Sequence, residues 1–227
     1  MAGGPPLSHS VWIKSCNAVW QKILHLGRKQ QYGKNELIGG NGEYVKCLQY
    51  LHKGRLKLTR FNAEGNEKIF FYIEQRNLFG EVPFWSGKPM DSAFIAVEPC
   101  EVYEFSQQCI KDDVMKNHPE LIVNLLEGMA SKMHVITGQA SELASLLNRV
   151  SKVLVYAAER EHIHAASNEV ICAKGISQQE LANILGVHRV TLNHVIKQLK
   201  KQGIIGDMTK SNLVILDYAR LLALAKG

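Results

Sequence analysis

A regular stripe of apolar residues between positions 122 and 150 constrains the fold of this chain more than any other feature. The stripe repeats at alternating steps of four and three residues over roughly four heptads, with no proline and two glycines. This spacing is typical of a helix that packs lengthwise against another helix, although a core helix within one domain is an alternative. We predict a dimerisation helix over residues 119–150 in a two-fold homodimer. Its seam comprises Ile122, Leu126, Met129, Met133, Ile136, Ala140, Leu143, Leu147 and Val150.

The residues before this stripe, from about Gln31 to Phe105, have the pattern of β-strands. Short runs of β-branched, aliphatic and aromatic residues alternate with turn signals such as "GGNG" and "SG". The runs "LKLTRF" and "KIFFYI" flank "NAEGNE", which predicts a hairpin. Evenly spaced short strands indicate a small antiparallel barrel or jelly roll. Residues 7–30 are predicted to be helical, with inward-facing positions at Trp12, Val19 and Leu24.

The last third of the chain has the pattern of a helix-turn-helix. A helix from Lys152 to about Ala166 and a short strand in "EVICAKG" precede "ISQQELANILGVHRVTLNHVIKQLKKQGII". Ser177 and Glu180 form a capping box that starts one helix, and Gly186 permits a sharp turn into the next. The second helix is predicted to face inward through Leu192, Val195, Ile196 and Leu199. The final "IIGDMTKSNLVILD" predicts a two-stranded wing with Lys210 and Ser211 at its tip.

The positive charge of the chain is concentrated in this C-terminal third. The net charge is +6, and residues 149–227 carry 11 Lys and Arg against 6 Asp and Glu. No acid lies between His188 and Gly206, so a polyanion is the expected partner. A solvated helical hairpin without a nucleic-acid partner is the alternative. The outward face of the second helix is predicted to hold Arg189, Val190, Asn193, His194 and Lys197.

Taken together, these stretches resemble the Crp–Fnr superfamily of bacterial transcription regulators. The resemblance extends from about residue 18 to 218, and is most specific in "LHKGRLKLTRFNAEGNEKIFFYIEQRNLFGE" and in the helix-turn-helix stretch. It implies an α+β fold in which a cyclic-nucleotide-binding-like β-roll (1–118) senses an effector. The dimerisation helix (119–150) and a C-terminal winged helix-turn-helix (151–227) follow. It also implies double-stranded DNA and RNA polymerase as partners.

The resemblance assigns DNA contacts to the second helix. Arg189 matches an arginine that donates to guanine, and Thr191 matches a phosphate-contacting position. Val190 replaces the usual Glu and His194 replaces a usual Arg, and "GVHRVTLNHV" is similar to the branch that regulates organohalide respiration. Valine cannot accept from a cytosine amino group but can pack against a thymine methyl. The expected operator is therefore an inverted repeat with A/T-rich half-sites.

The same resemblance places an effector pocket around "LFGEVPFWSGKPMDSA". Gly80 and Glu81 match residues that hold ribose, whereas Asp91 and Ser92 stand where nucleotide-binding members have Arg-Ser. An aspartate would repel a cyclic phosphate, and a bidentate arginine contact is lost. On the dimerisation helix, a Thr-Ser pair that contacts adenine is represented by Ile136 and Thr137. Cyclic AMP is therefore disfavoured as the effector.

An apolar or aromatic acid is the effector class that the remaining residues favour. Lys88 and Lys132 are candidates to hold its anionic group, and the aromatic residues of the β region could surround its ring. Alternatively, these aromatic residues form an ordinary core. A cyclic-nucleotide sensor and a haem or redox sensor of the same superfamily also remain open. The aromatic residues concerned are Phe61, Phe70, Phe71, Phe79, Phe84, Phe94 and Phe105, with Tyr72 and Trp85 beside them.

Several function classes lack the residues that they need. The five cysteines are scattered without C-x-x-C spacing, so neither a metal site nor an iron–sulfur cluster is expected. Four histidines, at positions 25, 52, 118 and 134, are possible haem ligands, but no pattern singles one out. Catalytic motifs are absent from the sequence, so an enzyme is not expected, and neither is a non-DNA ligand-binding module. The sequence has no long apolar run and no signal-peptide pattern, so we expect a cytoplasmic protein. We also expect that the protein requires no cofactor.

Overall fold

The N-terminal half of the chain forms two facing β-sheets. The computed structural model describes residues 11–14, 16–139, 145–161, 170–172 and 175–226. Nine strands make up the two sheets, in the order β1-β6-β5-β8-β3 for one and β2-β9-β4-β7 for the other. Their bounds are β1 Trp12–Ile13, β2 Arg28–Tyr32, β3 Leu37–Gly40, β4 Cys47–Lys53, β5 Arg55–Phe61, β6 Glu67–Glu74, β7 Asn77–Phe79, β8 Ala93–Ala96 and β9 Cys100–Ser106.

The predicted hairpin in this region is confirmed. Strands β5 and β6 pair antiparallel from Arg55–Glu74 to Phe61–Glu67. The side chain of Asn62 closes the turn by accepting hydrogen bonds from the backbone N–H groups of Glu64 and Asn66, at 3.1 and 2.8 Å. Asparagine favours turns because its side chain can bond the backbone a few residues on in this way.

The prediction that residues 7–30 are helical holds, among the described residues, only for Ala18–Leu26, because Trp12–Ile13 and Arg28–Tyr32 are strands. β1 pairs parallel with β6, and the Trp12 ring stacks on Tyr72 at 5.6 Å. A 3₁₀ helix, Ala18–Leu26, follows and ends where β2 begins. A 3₁₀ helix has three residues per turn, so Trp20 and Ile23 share its buried face, whereas Val19 is 51% exposed.

A longer helix, α2 (Pro119–Gln139), follows the β-strands. Before it come the short helix α1 (Glu81–Ser86), which interrupts the predicted β region, and helical turns at Gln107–Cys109, Ile110–Val114 and Met115–Asn117. Helix α3 (Leu146–Glu161) begins separately, because the Ser145 hydroxyl accepts a hydrogen bond from the Asn148 N–H at 3.1 Å and caps it. The expectation of one helix through residue 150 is therefore corrected by the start of α3, while Ala140 and Leu143 lie outside the described residues.

Two apolar clusters form the core of the N-terminal unit. One lies between the sheets and includes Phe71, Phe79 and Phe94, together with Val135 from α2. The other is built around Trp20, Tyr50 and Phe105, and α2 contributes Leu121 and Leu125. Helix α2 is thus part of the core of the β-roll along one of its faces.

A buried polar network fastens the N-terminal segment to both the β-roll and α2. The side chain of Asn77 donates to the carbonyls of Lys14 and Glu74 at 3.0 and 2.9 Å. The side chain of Asn17 donates to Asn124 on α2 at 2.8 Å. A β-carbon on Gly128 would lie only 3.0 Å from the Asn17 amide nitrogen, so glycine allows this close approach. These bonds satisfy polar groups that would be costly to bury alone.

The C-terminal unit is a winged helix-turn-helix, as predicted, and with the β-roll it confirms the α+β fold. The two units divide between Ile136 and Thr137. Helix α3 packs with a three-stranded sheet of order β10-β12-β11 and with three further helices. Within the described part of the chain, no helix combines the length and the apolar character needed to cross a membrane. The element bounds are β10 Val170–Cys172, α4 Gln178–Leu185, α5 Arg189–Lys201, β11 Ile205–Met208, β12 Leu213–Ile215 and α6 Tyr218–Lys226.

Candidate effector-binding and DNA-binding sites

The turn from β7 into α1 forms the centre of the candidate effector site. Gly80 adopts a left-handed conformation with φ 78° and ψ 10° immediately before α1. Glycine reaches this region without strain, whereas most other residues do not. Glu81 is the first residue of α1, where the helix dipole favours an acid, and it is 5% exposed. The "FGE" sequence therefore places the Glu81 carboxylate in the interior of the domain.

Lys132 of α2 meets this carboxylate. Its ammonium group forms an ion pair with Glu81 and donates a hydrogen bond to the Leu78 carbonyl at 2.7 Å. The Lys132 and Glu81 side chains are only 8% and 6% exposed. Two residues that were predicted to bind the effector thus lie together, and in this structure each is bound to the other.

Asp91, which stands where nucleotide-binding members have an arginine, lies at the surface. Its carboxylate pairs with Arg60 of β5, and the two side chains are 66% and 53% exposed. Solvent screens such a pair, so its contribution to stability is small. Ser92 is half-buried, and its carbonyl accepts a hydrogen bond from the Asn41 N–H at 2.8 Å. Lys88 is exposed in the loop after α1. No sequence pattern indicated the Arg60 contact, because it joins segments that lie far apart in the chain.

Most of the aromatic residues considered for an effector pocket belong to the core instead. Phe71, Phe79, Phe84, Phe94 and Phe105 are buried, and the rings of Phe79 and Phe94 meet edge to face at 5.0 Å. Phe61 is 50% exposed and Trp85 is 40% exposed. The simpler interpretation of these residues, as core packing, accounts for the buried ones.

The Cys16 thiol interacts electrostatically with both members of the Lys132–Glu81 pair. Burial raises the pKa of the Cys16 thiol above its ordinary value, and the Lys132 ammonium opposes this effect only in part. The thiol donates to the Asn77 side-chain oxygen at 2.9 Å. A thiol that keeps its proton is a poor nucleophile and metal ligand. Among the residues that the structure describes, no cluster of three or more metal-ligating side chains occurs.

Helix α2 has a second apolar face that remains exposed in the single chain. Its buried face carries Leu121, Leu125 and Val135, whereas the predicted seam lies about a quarter-turn away around the helix. Leu126, Met133 and Ile136 of the seam are 59%, 67% and 43% exposed, and Ile122 and Met129 are half-buried. Thr137 is also exposed. Beyond α2, Leu147 is half-buried in α3.

Two helices and a tight turn form the candidate DNA-binding site, as predicted. The Ser177 hydroxyl caps α4 by accepting from the Glu180 N–H at 3.1 Å. Gly186 adopts φ 65° and lets the chain turn into α5. Arg149 of α3 donates to the Leu185 carbonyl and so satisfies a backbone group at the end of α4.

Helix α5 presents the predicted polar face to solvent. Leu192, Ile196 and Leu199 are buried and hold the helix on the domain. Val190 lies on the outward face and is 70% exposed. The other predicted contact residues are also outward: Arg189, Thr191, His194 and Lys197 are exposed, and Asn193 is half-buried.

The wing beside α5 is held by close backbone packing. The Thr209 N–H donates to the Asn212 carbonyl at 2.7 Å, which closes the turn between β11 and β12. A β-carbon on Gly175 would lie 2.1 Å from the Thr209 carbonyl oxygen and 2.4 Å from that of Asn212. Only glycine therefore fits against the base of the wing. Lys210 and Ser211 are exposed at its tip, as predicted.

Known proteins share both halves of this architecture. Residues 29–117 match the cyclic nucleotide-binding domain, and residues 148–224 match the Crp-like helix-turn-helix domain. The cAMP-activated global transcriptional regulator CRP of Pasteurella multocida is 28% identical over 178 residues, which cover 76% of this chain and 83% of CRP. The cAMP-activated regulator Vfr of Pseudomonas aeruginosa is 24% identical over 200 residues, 85% of this chain and 91% of Vfr.

Solved structures share the fold. OCPA-complexed CprK has a TM-score of 0.74 at 18% identity and covers 94% of this chain and 99% of its own. A CooA mutant from Carboxydothermus hydrogenoformans has a TM-score of 0.77 at 17% identity, covering 93% and 96%. A ligand-sensing β-roll joined to a winged helix-turn-helix defines an effector-responsive, DNA-binding transcription regulator. The chain belongs to the Crp–Fnr family of transcription regulators, which is a non-enzymatic family.

The buried ion pair gives a prediction about stability. Lys132→Met leaves the Glu81 carboxylate buried without its cation, so we expect the free energy of unfolding to fall by about 3–5 kcal/mol. Lys132→Met combined with Glu81→Gln should recover most of that loss because no unpaired charge remains. Denaturant unfolding of effector-free protein measures both. The matched control is Lys22→Met, which breaks the exposed Lys22–Glu120 pair and should change little. An equal effect of Lys132→Met and Lys22→Met would contradict a buried pair.

Proposed function

We propose that the protein binds an inverted-repeat operator as a homodimer and that a small aromatic acid, rather than cyclic AMP, controls this binding. The acid-free, exposed face of α5 is the observation that carries the DNA-binding part of this proposal. The C-terminal region also holds most of the net positive charge, which favours contact with phosphates. We place this action in the cytoplasm, with RNA polymerase as the partner at the promoter.

The chemistry of α5 supports A/T-rich half-sites. The guanidinium of Arg189 suits the two acceptors on the major-groove edge of guanine, whereas exposed Val190 offers only apolar contact. A thymine methyl group is the major-groove feature that matches such a side chain. Thr191 and Lys197 would hold the helix in register through phosphates.

Removal of the Arg189 guanidinium tests the assignment of the recognition helix. Arg189→Ala should weaken specific operator binding by about 1–3 kcal/mol and leave dimerisation unchanged. Fluorescence anisotropy with operator and with scrambled DNA, at one fixed salt concentration, measures the effect. Gln198→Ala is the control, because helical spacing puts Gln198 opposite Arg189 and more than two turns away. Undiminished operator binding by Arg189→Ala would show that another element reads the bases.

The exposed seam of α2 supports the homodimer. A long exposed apolar stripe on a soluble domain marks an interaction surface, and here it has the heptad spacing of helix pairing. A second copy of the same helix matches this stripe, since a two-fold axis brings identical residues together.

A charge within the seam should separate the two copies. Met133→Glu would bury an unpaired carboxylate in the proposed interface, so we expect monomers at micromolar concentration. Sedimentation velocity measures the change. Val123→Glu is the control, because Val123 is similarly exposed, at 58%, on α2 but lies off the seam. A Met133→Glu variant that still sediments as a dimer would remove the seam from the proposal.

Two observations favour an aromatic acid over a cyclic nucleotide as the effector. Asp91 occupies the position of the phosphate-binding arginine and is engaged by Arg60. The carboxylate of Glu81, which would hold a ribose, is engaged by Lys132. Lys88 is exposed and can hold an anionic group, while Lys132 could do so only by leaving Glu81. Cyclic AMP is the second candidate, because the matched relatives are cAMP-activated and Gly80–Glu81 is retained.

The effector would act by shifting a population. If it binds one arrangement of the α2 seam more tightly than another, that arrangement becomes dominant. Two recognition helices must lie about 34–36 Å apart to enter successive major grooves. Only the arrangement with this spacing would bind the operator tightly.

A thermal-melt panel separates the effector classes. We expect chlorinated hydroxyaryl carboxylic acids to raise the melting temperature of the dimer, and cyclic AMP, cyclic GMP and haem to leave it unchanged, because a ligand that binds only the folded state stabilises it. The shift should shrink in Lys88→Ala and persist in Lys34→Ala, which removes an exposed lysine elsewhere in the β-roll. A clear shift with cyclic AMP would instead establish a nucleotide sensor.

A further inference from the structure

The side-chain oxygen of Gln49 is a buried acceptor without a donor. Gln49 lies on β4 and is 5% exposed, and its Oε1 atom has no hydrogen-bond partner among the residues that the structure describes. Its Nε2 group donates to the Glu104 carboxylate at 3.4 Å. A buried polar atom that stays unpaired destabilises the folded protein, so such an atom calls for a function or a missing partner.

The orientation of this amide is fixed by its neighbour. Glu104 is ion-paired with Arg28 at 2.7 Å, so its carboxylate is an acceptor. Rotation of the Gln49 amide by half a turn would place Oε1 against that carboxylate, and two acceptors would then face each other. Nε2 therefore faces Glu104, and Oε1 faces the opposite way.

The unpaired oxygen lies beside the candidate effector site. Gln49 pairs with Phe79 in the β4–β7 ladder, one residue before Gly80. A β-carbon on Gly80 would lie 3.4 Å from Oε1, and one on Gly39 would lie 3.8 Å from it. Because both neighbours are glycines, neither has a side chain that covers the oxygen. The site thus has one acceptor, the Glu81 carboxylate, already bound to Lys132, and a second acceptor, Oε1 of Gln49 on β4, with no donor among the described residues.

We infer that Gln49 is a specificity-determining residue whose Oε1 accepts a hydrogen bond from a hydroxyl or N–H group of the effector. This inference rests on the proposed function, because it requires that a small molecule bind next to Gly80. It adds a donor to the required chemistry: the effector is an aromatic acid that also carries a hydroxyl or amide group. Recognition of a donor by a buried acceptor discriminates strongly, since an analogue without the donor leaves that acceptor unpaired.

The test compares Gln49→Leu, which removes the acceptor but keeps a similar volume, with Tyr50→Phe. Tyr50 is the next residue on β4, and its hydroxyl is also buried without a partner among the described residues, but its ring belongs to the core cluster of Trp20 and Phe105. The probes are a chlorinated hydroxyphenylacetic acid and the same acid without its hydroxyl group. Titration calorimetry should show that the dimer binds the hydroxylated acid about tenfold more tightly. Gln49→Leu should abolish this preference and Tyr50→Phe should keep it.

A ligand-free measurement keeps the inference independent of the effector class. Without effector, Gln49→Leu should raise the melting temperature by about 2–4 °C, because it removes an unpaired acceptor. A lower melting temperature would show that the Gln49 amide stabilises the fold, through its Nε2–Glu104 hydrogen bond or through a partner of Oε1 such as an ordered water, and would overturn the inference. An unchanged hydroxyl preference in Gln49→Leu would also overturn it. If neither acid binds the parent protein, the proposed effector class fails, and the ligand-free melts alone decide whether Gln49 holds an open acceptor.

Discussion

Lys132 and Glu81 are opposite charges that have both been removed from water, and each is tolerated in the interior because of the other. The pair joins α2 to the turn after β7, and the Leu78 carbonyl takes a further hydrogen bond from the same ammonium group. A rotation of α2 that separated the charges would leave both desolvated and unpaired. The pair therefore fixes the rotation of α2 on the β-roll more strictly than apolar contacts alone could.

That fixed rotation determines which residues of α2 remain for a partner. With Leu121, Leu125 and Val135 facing the core, the heptad residues Leu126 and Met133 must face outward. The polar network of Asn17, Asn77 and Asn124 supports the same orientation at the other end of the helix. The proposed effector turn contacts one face of α2 through Lys132, and the proposed dimer seam lies on another face of the same helix, so a movement of α2 at the turn would also move the seam.

Local patterns predicted much of the fold, and long-range contacts account for what was missed. The hairpin closed by Asn62, the cap at Ser177 and the turn at Gly186 all follow from residues within a few positions of one another. The region around Trp12 was predicted as a helix because its pairing partner, β6, lies far along the chain and cannot be inferred from local periodicity. The boundary at Ser145 was missed because an apolar repeat can continue across a capped helix start.

At the candidate effector site too, individual residues could be predicted from the sequence, whereas their long-range contacts could not. The family resemblance singled out Gly80 and Glu81, and Lys132 was a candidate cation, but nothing in the sequence indicated that the two charges bind each other. Asp91 was identified as a departure from the family pattern, whereas its partner Arg60 lies on β5, 31 positions earlier in the chain. Gln49 has no recognisable motif, since an unpaired oxygen is a property of its surroundings rather than of the residue. The exposed face of α5 was predicted almost completely, because helical spacing alone separates its buried and exposed residues. Contact of this face with DNA stays a prediction.

The exposed seam of α2 makes DNA binding depend on the concentration of the protein in the cell. In the proposed dimer the seam is covered only by mass action, so the fraction of chains that are paired depends on how many are present. A single chain would offer one recognition helix to one half-site and lose the gain from binding two half-sites at once. The fraction of operators that are occupied would then rise more steeply than the number of regulator chains in the cell. Weak operators would be occupied only when the protein is abundant.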